Sequence, residues 1–590
     1  MNRFLQVFYI FFSAALLSLA IPNELYHFGS PLIALISLIP LYYAYINFSS
    51  YMQAALLTGL HTMLVHLLSS FWLAFFKDFA AFTLGASALG TGAIGMVIGL
   101  AFYSPFCKYR THNTLRIYSS PFYGPFIPFR VLWFCTVYIL YEWIKSCGWL
   151  GYPWGTVSSA FYRQGIFIQI ADITGTYGVT FLAVLFNAVI TEEFALFTRA
   201  RTGNASPASA CGLFSISCVW AALLICTFCY GLFRCAAPSK PEKYLNTILV
   251  QQNADPWKEK NDNDTILLSE QLTEEKINEV KSAGEEIDLI VWSEGCLKYS
   301  FPNAQSHYTH FPRENPLIPF IQKTGIPFIL GGSYVISSSP RHVMNAAILF
   351  DTDGTMRGAY GKNHLVPFAE VLPFSNIPAV SAFLKKTIGI SAGWTPGDQY
   401  VYFDIPAHAP HQNEKSAVKI ISLAGSPNDS AAAETPYVRV STPICFDDAF
   451  PDVCRPLAEN GSELFMNITD DSWSKTKSSE YQHFAVAVYR AIELRTTLAR
   501  STNSGYSVVV NPKGTVLADM PLFEESALFY KIPIYKKKTT VYLAAGNWLP
   551  HTAALLVIAF EVLQFLFRAV SPEVPSERKK SAKQKKKRKK

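Results

Sequence analysis

Three side chains with complementary chemistry follow predicted strands in the central part of the chain: Glu294, Lys362 and Cys445. Glu294 ends the apolar run 288–294, and Cys445 ends the run 438–445. A carboxylate can act as a general base, an ammonium group can stabilise an oxyanion, and a thiol can act as a nucleophile. A thiol needs a lowered pKa to react, which a nearby lysine and a base would provide. Because α/β proteins usually place their chemistry at strand ends, these three residues are candidates for a base, a cation and a nucleophile.

Each of these three residues also has an ordinary structural explanation. Glu294 could cap a helix or lie at the surface, and Lys362 could be a solvated lysine, because charged side chains are mostly exposed. Cys445 could be a buried structural cysteine, which is the commonest fate of a free thiol. The residue types alone therefore leave both interpretations open.

Short β-rich runs alternate with helical stretches between residues 240 and 545. The predicted strands are Ile248–Gln252, Ile287–Trp292, Pro327–Val335, Ala346–Phe350, Val438–Ile444, Glu463–Ile468 and Tyr506–Val510. The predicted helices cover 264–284, 448–459 and 480–496. Such apolar strands are typically buried on both faces, and their alternation with helices predicts a layered α/β domain. Two long segments rich in Pro, Ser, Asn and His, 303–315 and 407–435, are predicted loops.

Long apolar runs dominate residues 1–235, and a last one precedes the C-terminus. A helix needs about 20 mostly apolar residues to span a bilayer. The candidate spans are 5–22, 31–47, 53–76, 81–105, 128–147, 177–198, 211–233 and 551–569. We therefore predict a polytopic membrane domain with seven spans (1–235), an α/β domain (236–545), an eighth span (546–570) and a basic tail (571–590).

Positive charges beside the spans predict the orientation of the chain. The clusters are Lys108, Arg110, Arg116 and Arg130 after the fourth span, Arg199 and Arg201 after the sixth, and the run 578–590 after the eighth. All three lie on the side of the N-terminus, and cytoplasmic loops carry an excess of Lys and Arg. The domain 236–545 is therefore predicted to face outward, which in a double-membraned bacterium means the periplasm, from a multi-pass protein of the inner membrane.

The formal net charge of +7 is a property of the tail, because Arg578–Lys590 holds many basic residues and no acid. A basic run can bind nucleic acid. Directly after an apolar segment, however, such a run favours a cytoplasmic anchor on anionic lipid. We therefore predict a membrane-lipid partner and no nucleic acid.

Cysteine and histidine spacing argues against cofactors. Only Cys296, Cys445 and Cys454 of the 11 cysteines lie in the α/β domain, and pairing among them stays open. The 12 histidines show no metal-ligand spacing, and the chain has no phosphate loop or dinucleotide fingerprint. No metal and no cofactor are predicted.

The local contexts of the three residues match a known family. The best-matching segments are Trp149–Trp154, Val250-Gln251, Trp292–Glu294, Lys362–Phe368 (KNHLVPF), Ile444-Cys445, Asn467, Asp471–Trp473, Gln482-His483 and Arg500–Gly505. On these residues the α/β domain resembles the nitrilase superfamily, whose catalytic set is Glu, Lys and Cys in this chain order. Over nearly its full length the chain resembles the bacterial apolipoprotein N-acyltransferases, and KNHLVPF is the most specific match.

The resemblance implies a fold and a reaction. The fold would be a multi-span membrane domain joined to an outward, nitrilase-like αββα sandwich. Cys445 would attack the sn-1 ester of a phospholipid, typically phosphatidylethanolamine, and form a thioester. The N-terminal amine of the S-diacylglyceryl-cysteine of a lipoprotein would then take the acyl group. Glu294 would accept protons, and Lys362 would stabilise the oxyanions.

The resemblance also implies supporting residues. Glu370 would orient Lys362, and Asp447 is a weaker candidate. Trp257 resembles a tryptophan that the family places near substrate. Glu142, a carboxylate inside or beside a span, is a candidate for substrate binding, although it could instead pair with Lys145, Arg163 or another helix. Segments 303–315 and 375–395 are candidate lids or ordinary core packing.

One departure and two alternative functions qualify the resemblance. The family usually follows its cysteine with Tyr-Glu, whereas this chain has Phe446-Asp447. A membrane-tethered amidase or nitrile hydrolase could use the same three residues, but it would not need a lipid-side entrance. A non-enzymatic lipoprotein-binding scaffold would not need all three. The acyltransferase, working as a monomer, is the function that we predict.

Overall fold

The computed structural model describes residues 3–76, 81–106, 126–203, 206–255, 258, 261–339, 341–371, 377–379, 382, 386, 393–407, 419–422 and 436–570. An N-terminal helical part is followed by a β-rich part and a last apolar helix. The basic tail, Trp257 and most of the segments 375–395 and 407–435 lie outside the described residues. The predictions made for them stay predictions.

Seven described helices are long and apolar enough to cross a membrane. Their bounds as α-helices are Arg3–Ala20, Tyr51–Ser69, Ser87–Tyr103, Phe126–Ser146, Thr176–Arg201, Pro207–Ala236 and Trp548–Val570. Short helices link them: Phe71–Phe75, Ala81–Ala86 (a π-helix), Ser104–Phe106, Val157–Phe161, Phe167–Ile170 and Ala171–Thr174. Seven of the eight predicted spans thus correspond to long apolar helices.

The predicted span 31–47 differs from the others because it is interrupted. It forms two helices, Pro31–Ser37 and Ile39–Asn47, that meet at Leu38. Pro40 has no backbone N–H to donate, and its ring disfavours a continuous helix. The N–H of Leu38 donates to Asn187 Oδ1 of a neighbouring helix at 2.9 Å. This segment therefore depends on its neighbours for hydrogen bonding as well as for packing.

Fourteen described strands form two mixed seven-stranded sheets. They are β1 Pro241–Gln251, β2 Leu289–Trp292, β3 Ser300–Phe301, β4 Phe328–Ser338, β5 Arg341–Phe350, β6 Met356–Gly361, β7 Val401–Pro406, β8 Lys419–Ser422, β9 Tyr437–Ser441, β10 Leu464–Thr469, β11 Thr497–Thr502, β12 Val508–Val510, β13 Val516–Asp519 and β14 Ser526–Tyr535. The first sheet has the order β14-β1-β2-β4-β5-β6, with β3 also paired to β4, and the second has the order β13-β12-β11-β10-β9-β7-β8.

The two sheets pack face to face, as the period-2 alternation of strands requires. In β1, Leu249 belongs to the core between the sheets, whereas Ile248 and Val250 pack toward the outer helices. The Ser501 hydroxyl donates across the sandwich to the carbonyls of Val250 and Val291 at 3.2 and 3.1 Å. The predicted αββα sandwich is therefore confirmed.

Helices cover both outer faces of the sandwich. Their bounds are Asn263–Ser282, Gln305–Tyr308, Leu317–Thr324, Cys445–Ala449 (3₁₀), Pro451–Glu459, Lys477–Leu494 and Val541–Ala545. Helix Lys477–Leu494 is almost wholly buried because the membrane part packs on it. Its Tyr489 hydroxyl donates to Ser158 O at 2.8 Å, and Gln482 donates to the carbonyls of Pro22 and Ser69. This helix therefore joins the sandwich to the membrane part.

Several expectations are corrected by the described residues. The strand predicted to run to Ile444 ends at Ser441, so Cys445 begins a 3₁₀ helix instead of ending a strand. Segment 303–315 contains the short helix Gln305–Tyr308. Arg130, counted with a loop cluster, is a fully buried residue of a membrane helix and pairs with Glu192. Arg130 therefore does not count among the positive loop residues from which the orientation of the chain was predicted.

Candidate active site

Glu294 lies in the turn after β2, with only 7% of its surface exposed. Its Oε1 accepts hydrogen bonds from Asn345 Nδ2 at 2.7 Å and Lys362 Nζ at 3.1 Å. Its Oε2 accepts one from the backbone N–H of Asp470 at 2.9 Å. Burial of a carboxylate is costly without partners. These donors make the burial tolerable and fix the orientation of the side chain.

Lys362 follows the last residue of β6 and is 1% exposed. Its Nζ lies 3.1 Å from Glu294 Oε1 and 2.8 Å from Glu370 Oε1. Burial disfavours the charged amine, but Cys445, Glu294 and Glu370 outweigh it and raise the pKa of Lys362 well above its ordinary value. Lys362 is therefore a permanent buried cation, and the surface interpretation is excluded.

Glu370 closes the charged cluster from the other side. Its Oε1 accepts hydrogen bonds from Lys362 and, at 3.2 Å, from Asn345 Nδ2. Its Oε2 accepts one from the backbone N–H of Val366 at 2.8 Å. Glu370 is thus held at both oxygens and holds Lys362 toward Glu294, which is the geometry of an orienting residue.

Cys445 has a backbone φ of +46°, which is unusual for a residue with a side chain. Its carbonyl accepts hydrogen bonds from Asn467 Nδ2 at 3.2 Å and is 3.3 Å from His483 Nε2. Burial and the charge of Glu294 raise the pKa of the thiol well above its ordinary value, while Lys362 lowers it. The resting thiol is therefore protonated, and a base must take its proton.

Asp447 connects the cysteine segment to the lysine segment. Its carboxylate accepts from the backbone N–H groups of Ile444 at 3.1 Å and His364 at 2.7 Å, and from the Tyr360 hydroxyl at 3.1 Å. Burial raises the pKa of Asp447 to about 7, against the lowering effect of these backbone donors. Its contacts fix the two loops relative to each other.

Phe446, the residue after the cysteine, is packed among aromatic rings. It stacks on Trp154 at 5.0 Å between centroids and contacts Phe450 at 4.8 Å. Trp154 belongs to the turn between two membrane helices, so the membrane part reaches the residue next to the thiol. The aromatic face of Phe446 is therefore used, although no hydroxyl is present.

Glu142 lies on membrane helix Phe126–Ser146 and holds the turn that carries Trp154. Its two oxygens accept from the Val157 N–H and from the Thr180 hydroxyl, both at 2.7 Å. Lys145 donates to the Trp154 carbonyl. The sequence left Lys145, Arg163 or another helix open as partners of Glu142, and its hydrogen bond to Thr180 joins it to another helix. Glu142 therefore supports the wall of the site and is itself buried.

His483 is a site residue whose role sequence reasoning missed, although its segment was among the matching motifs. It lies on helix Lys477–Leu494, and a ring nitrogen, an Asp471 carboxylate oxygen and Cys445 Sγ lie within 4.8 Å of one another. Such a trio could ligate a metal, but Nδ1 already faces Asp471 at 2.7 Å and Nε2 faces Asp448 at 3.1 Å. Because both ring nitrogens face carboxylates, neither offers a free lone pair.

Two family models match the chain. The model described as the apolipoprotein N-acyltransferase N-terminal domain matches residues 13–189. The model described as carbon-nitrogen hydrolase matches residues 250–536 and includes Glu294, Lys362 and Cys445. The two matches follow the division between the helical part and the sandwich.

Curated relatives match over nearly the whole length. A protein of Treponema denticola named apolipoprotein N-acyltransferase 2 is 41% identical over 95% of this chain and 97% of its own. One of the same name from Treponema pallidum is 36% identical over 93% of each chain. The apolipoprotein N-acyltransferase of Borreliella burgdorferi is 27% identical over 94% of this chain and 95% of its own.

Proposed function

The chain belongs to the apolipoprotein N-acyltransferase family, membrane enzymes that N-acylate lipoproteins, and we propose that it transfers the acyl group through a thioester on Cys445. The single observation that supports this mechanism best is a buried cluster. In it, Lys362 bridges Glu294 and Glu370 and interacts electrostatically with the Cys445 thiol. It combines a base, a cation and a nucleophile in one water-poor site.

In the first half-reaction, Cys445 Sγ attacks the carbonyl carbon of a phospholipid ester while its proton passes to Glu294. The raised pKa of the thiol makes this transfer necessary, because little thiolate exists beforehand. Collapse of the tetrahedral intermediate breaks the ester C–O bond. The lysophospholipid oxygen takes the proton from Glu294, and the acyl group stays on sulfur.

In the second half-reaction, the free α-amine of a diacylated lipoprotein attacks the thioester. Glu294 takes a proton from the attacking nitrogen, the C–S bond breaks, and the proton returns to sulfur. Lys362 stabilises the oxyanion of both tetrahedral intermediates, since its charge is fixed in place before either forms. Glu370 orients Lys362, and Asp447 keeps the cysteine and lysine loops in register.

The acyl donor is a phospholipid, which we propose to be phosphatidylethanolamine cleaved at sn-1, and the acceptor is an S-diacylglyceryl-cysteine. The aromatic contacts between the two parts of the chain support a lipid-side entrance. Trp72 and Trp473 lie 5.6 Å apart, and Trp154 stacks on Phe446. An apolar wall excludes water, which would otherwise hydrolyse the thioester.

We further propose that the enzyme is a monomer of the bacterial inner membrane. Its sandwich would face the periplasm and its basic tail the cytoplasm. Trp257 would lie near substrate. The basis of the proposed orientation is the distribution of Arg199, Arg201 and the tail residues on one side of the spans. Labelling of single introduced cysteines with a membrane-impermeant reagent tests the orientation.

The reaction is tested with the purified full-length protein, phospholipid and a diacylated lipopeptide. The expected product is a triacylated lipopeptide, and phospholipid alone should add one acyl mass to Cys445. Cys445→Ser is the matched variant, because it removes one sulfur atom and keeps the size of the side chain. Transfer by folded Cys445→Ser protein at the wild-type rate would contradict the thioester mechanism.

A further inference from the structure

His483 lies beside the nucleophile and takes no part in the reaction proposed above. Its Nδ1 is 2.7 Å from Asp471 Oδ2, its Nε2 is 3.1 Å from Asp448 Oδ1, and the same Nε2 is 3.3 Å from the Cys445 carbonyl. The ring is 2% exposed. Every polar partner of this ring is an acceptor, so both nitrogens must carry a proton to donate.

We propose that His483 is a positioning residue for the nucleophile: an imidazolium that holds the Cys445 backbone and places a second positive charge beside its sulfur. The inference rests on the proposed function, because it takes Cys445 as the nucleophile. It assigns the support of the thiol to two cations, Lys362 and His483.

Cys445 holds a positive φ that a residue with a Cβ adopts only under constraint. Two donors, Asn467 Nδ2 and His483 Nε2, converge on its carbonyl. A protonated ring donates more strongly than a neutral amide. The charge on His483 therefore helps to keep the backbone that presents the sulfur.

Two carboxylates and one guanidinium group face the imidazole ring of His483. Asp471 and Asp448 are the anions, and Arg500 is a further cation, which pairs with Asp448. Burial alone would lower the pKa of His483, and Arg500 lowers it too, but the two carboxylates outweigh both and raise it to about 9. His483 is therefore charged at neutral pH.

Glu480, on the same helix, adds no charge to this balance. Both of its oxygens are buried without a hydrogen-bond partner, and burial raises the pKa of its carboxyl well above the ordinary value. Asp471, by contrast, is ionised and raises the pKa of the Cys445 thiol. Without the proton on His483, this anion would lose its nearer cation and keep only the more distant Arg500, whose Nη2 lies 3.8 Å from Asp471 Oδ2.

His364 offers a matched control on the other side of the cysteine. Its ring stacks on Phe450 at 3.5 Å between centroids, and burial together with Lys362 lowers its pKa to about 4. One of these two histidines is therefore neutral and the other is charged. Substituting each by glutamine removes an imidazole from both places but removes a charge only at His483.

The test is the rate at which iodoacetamide alkylates Cys445 in the full-length protein, read on the Cys445 peptide by mass spectrometry. In His483→Gln we expect the rate at pH 8 to fall about tenfold, because loss of a cation within 4–6 Å raises a thiol pKa by about one unit or more. In His364→Gln we expect no change. An unchanged or faster rate in folded His483→Gln protein would overturn the proposal, since a merely structural loosening exposes the thiol.

A second measurement needs no variant. Deuterium exchange at C2 of the imidazole ring depends on ring protonation and can be read on the His483 peptide of the wild-type protein. We expect half-titration near pH 9, and half-titration at or below the ordinary value of about 6.5 would overturn the proposal. Neither measurement uses acyl transfer, so failure of the proposed function, seen as activity in Cys445→Ser, is distinguishable from failure of this inference.

Discussion

Among the buried charge clusters of the described residues, one in the sandwich and one among the membrane helices are built differently. In the membrane part, Arg130 makes a two-point ion pair with Glu192, and the Tyr42 hydroxyl donates to the same carboxylate at 2.8 Å. In the sandwich, Lys362 contacts the carboxylates of Glu294 and Glu370 and interacts electrostatically with the Cys445 thiol. In the first cluster one cation is matched by one carboxylate, which we call a closed pair. In the second, one cation is shared by two carboxylates and a thiol.

The difference teaches where chemistry can occur. A closed pair satisfies both charges and has nothing left to offer a substrate, so its value is structural. A cation shared by two carboxylates and a thiol leaves one carboxylate able to take a proton without destroying the cluster.

The largest expected effect is on stability, in the membrane pair. Arg130→Met leaves Glu192 as an uncompensated buried charge and should lower the free energy of unfolding by about 3–5 kcal/mol. The double variant with Glu192→Leu should recover most of this loss. Thermal unfolding in detergent measures both, and a double variant no more stable than Arg130→Met would contradict the idea of a closed pair.

Breaking the sandwich cluster should instead act on the reaction. Lys362→Met removes the charge that faces both oxyanions, and acyl-enzyme formation should fall by about 10²–10³. The measurement is the rate at which phospholipid acylates the Cys445 peptide, with Arg130→Met as the control. A Lys362→Met rate within a few fold of wild type would exclude an electrostatic role for the lysine.

The pH dependence of stability sharpens the comparison at His483. Its folded pKa of about 9 lies above its ordinary value, so its protonation stabilises the fold. This contribution, up to about 3 kcal/mol, is full below about pH 6.5 and is lost as the pH rises through about 9. The stability gap between wild type and His483→Gln should therefore narrow from pH 6.5 to 9. A gap that widens, or a similar narrowing in His364→Gln, would count against the assignment.

The smallest expected effect concerns Glu370, which acts through Lys362. Glu370→Gln keeps one acceptor for Lys362 but removes the charge, and a misplaced lysine should lower kcat by about 10-fold to 10²-fold. Glu294→Gln should lower it further, because it removes the base itself. Steady-state transfer to a diacylated lipopeptide compares the two, and equal losses would assign Glu370 a larger share of the chemistry than orientation.

Much of the fold could be predicted from the sequence because hydropathy and strand composition are local properties. Seven of the eight predicted spans correspond to long apolar helices, and the predicted strands Ala346–Phe350 and Glu463–Ile468 lie within or overlap β5 and β10. Strand β14 was not predicted. Its first five residues are all half-buried and only residues 532–534 are buried, so it shows no alternation that would indicate a strand.

Fewer of the contacts in the site could be predicted, because they depend on residues far apart in the chain. The match to KNHLVPF identified Lys362, and strand ends identified Glu294 and Cys445. No local pattern indicated that Asn345, in the middle of β5, donates to both Glu294 and Glu370. Likewise, nothing in the motif Gln482-His483 indicated which side chains would face the imidazole.

The sequence by itself determined which segments are apolar enough for a membrane, which are strands of an α/β domain, and which residue types could form a thioester, since each depends on neighbours in the chain. Only the tertiary structure decided that Arg130 pairs with Glu192 and that Lys362 is shared between Glu294 and Glu370. The reason is physical: the reactivity of a buried charge depends on the number and sign of the groups around it, and the packing of the sheets and helices places those groups.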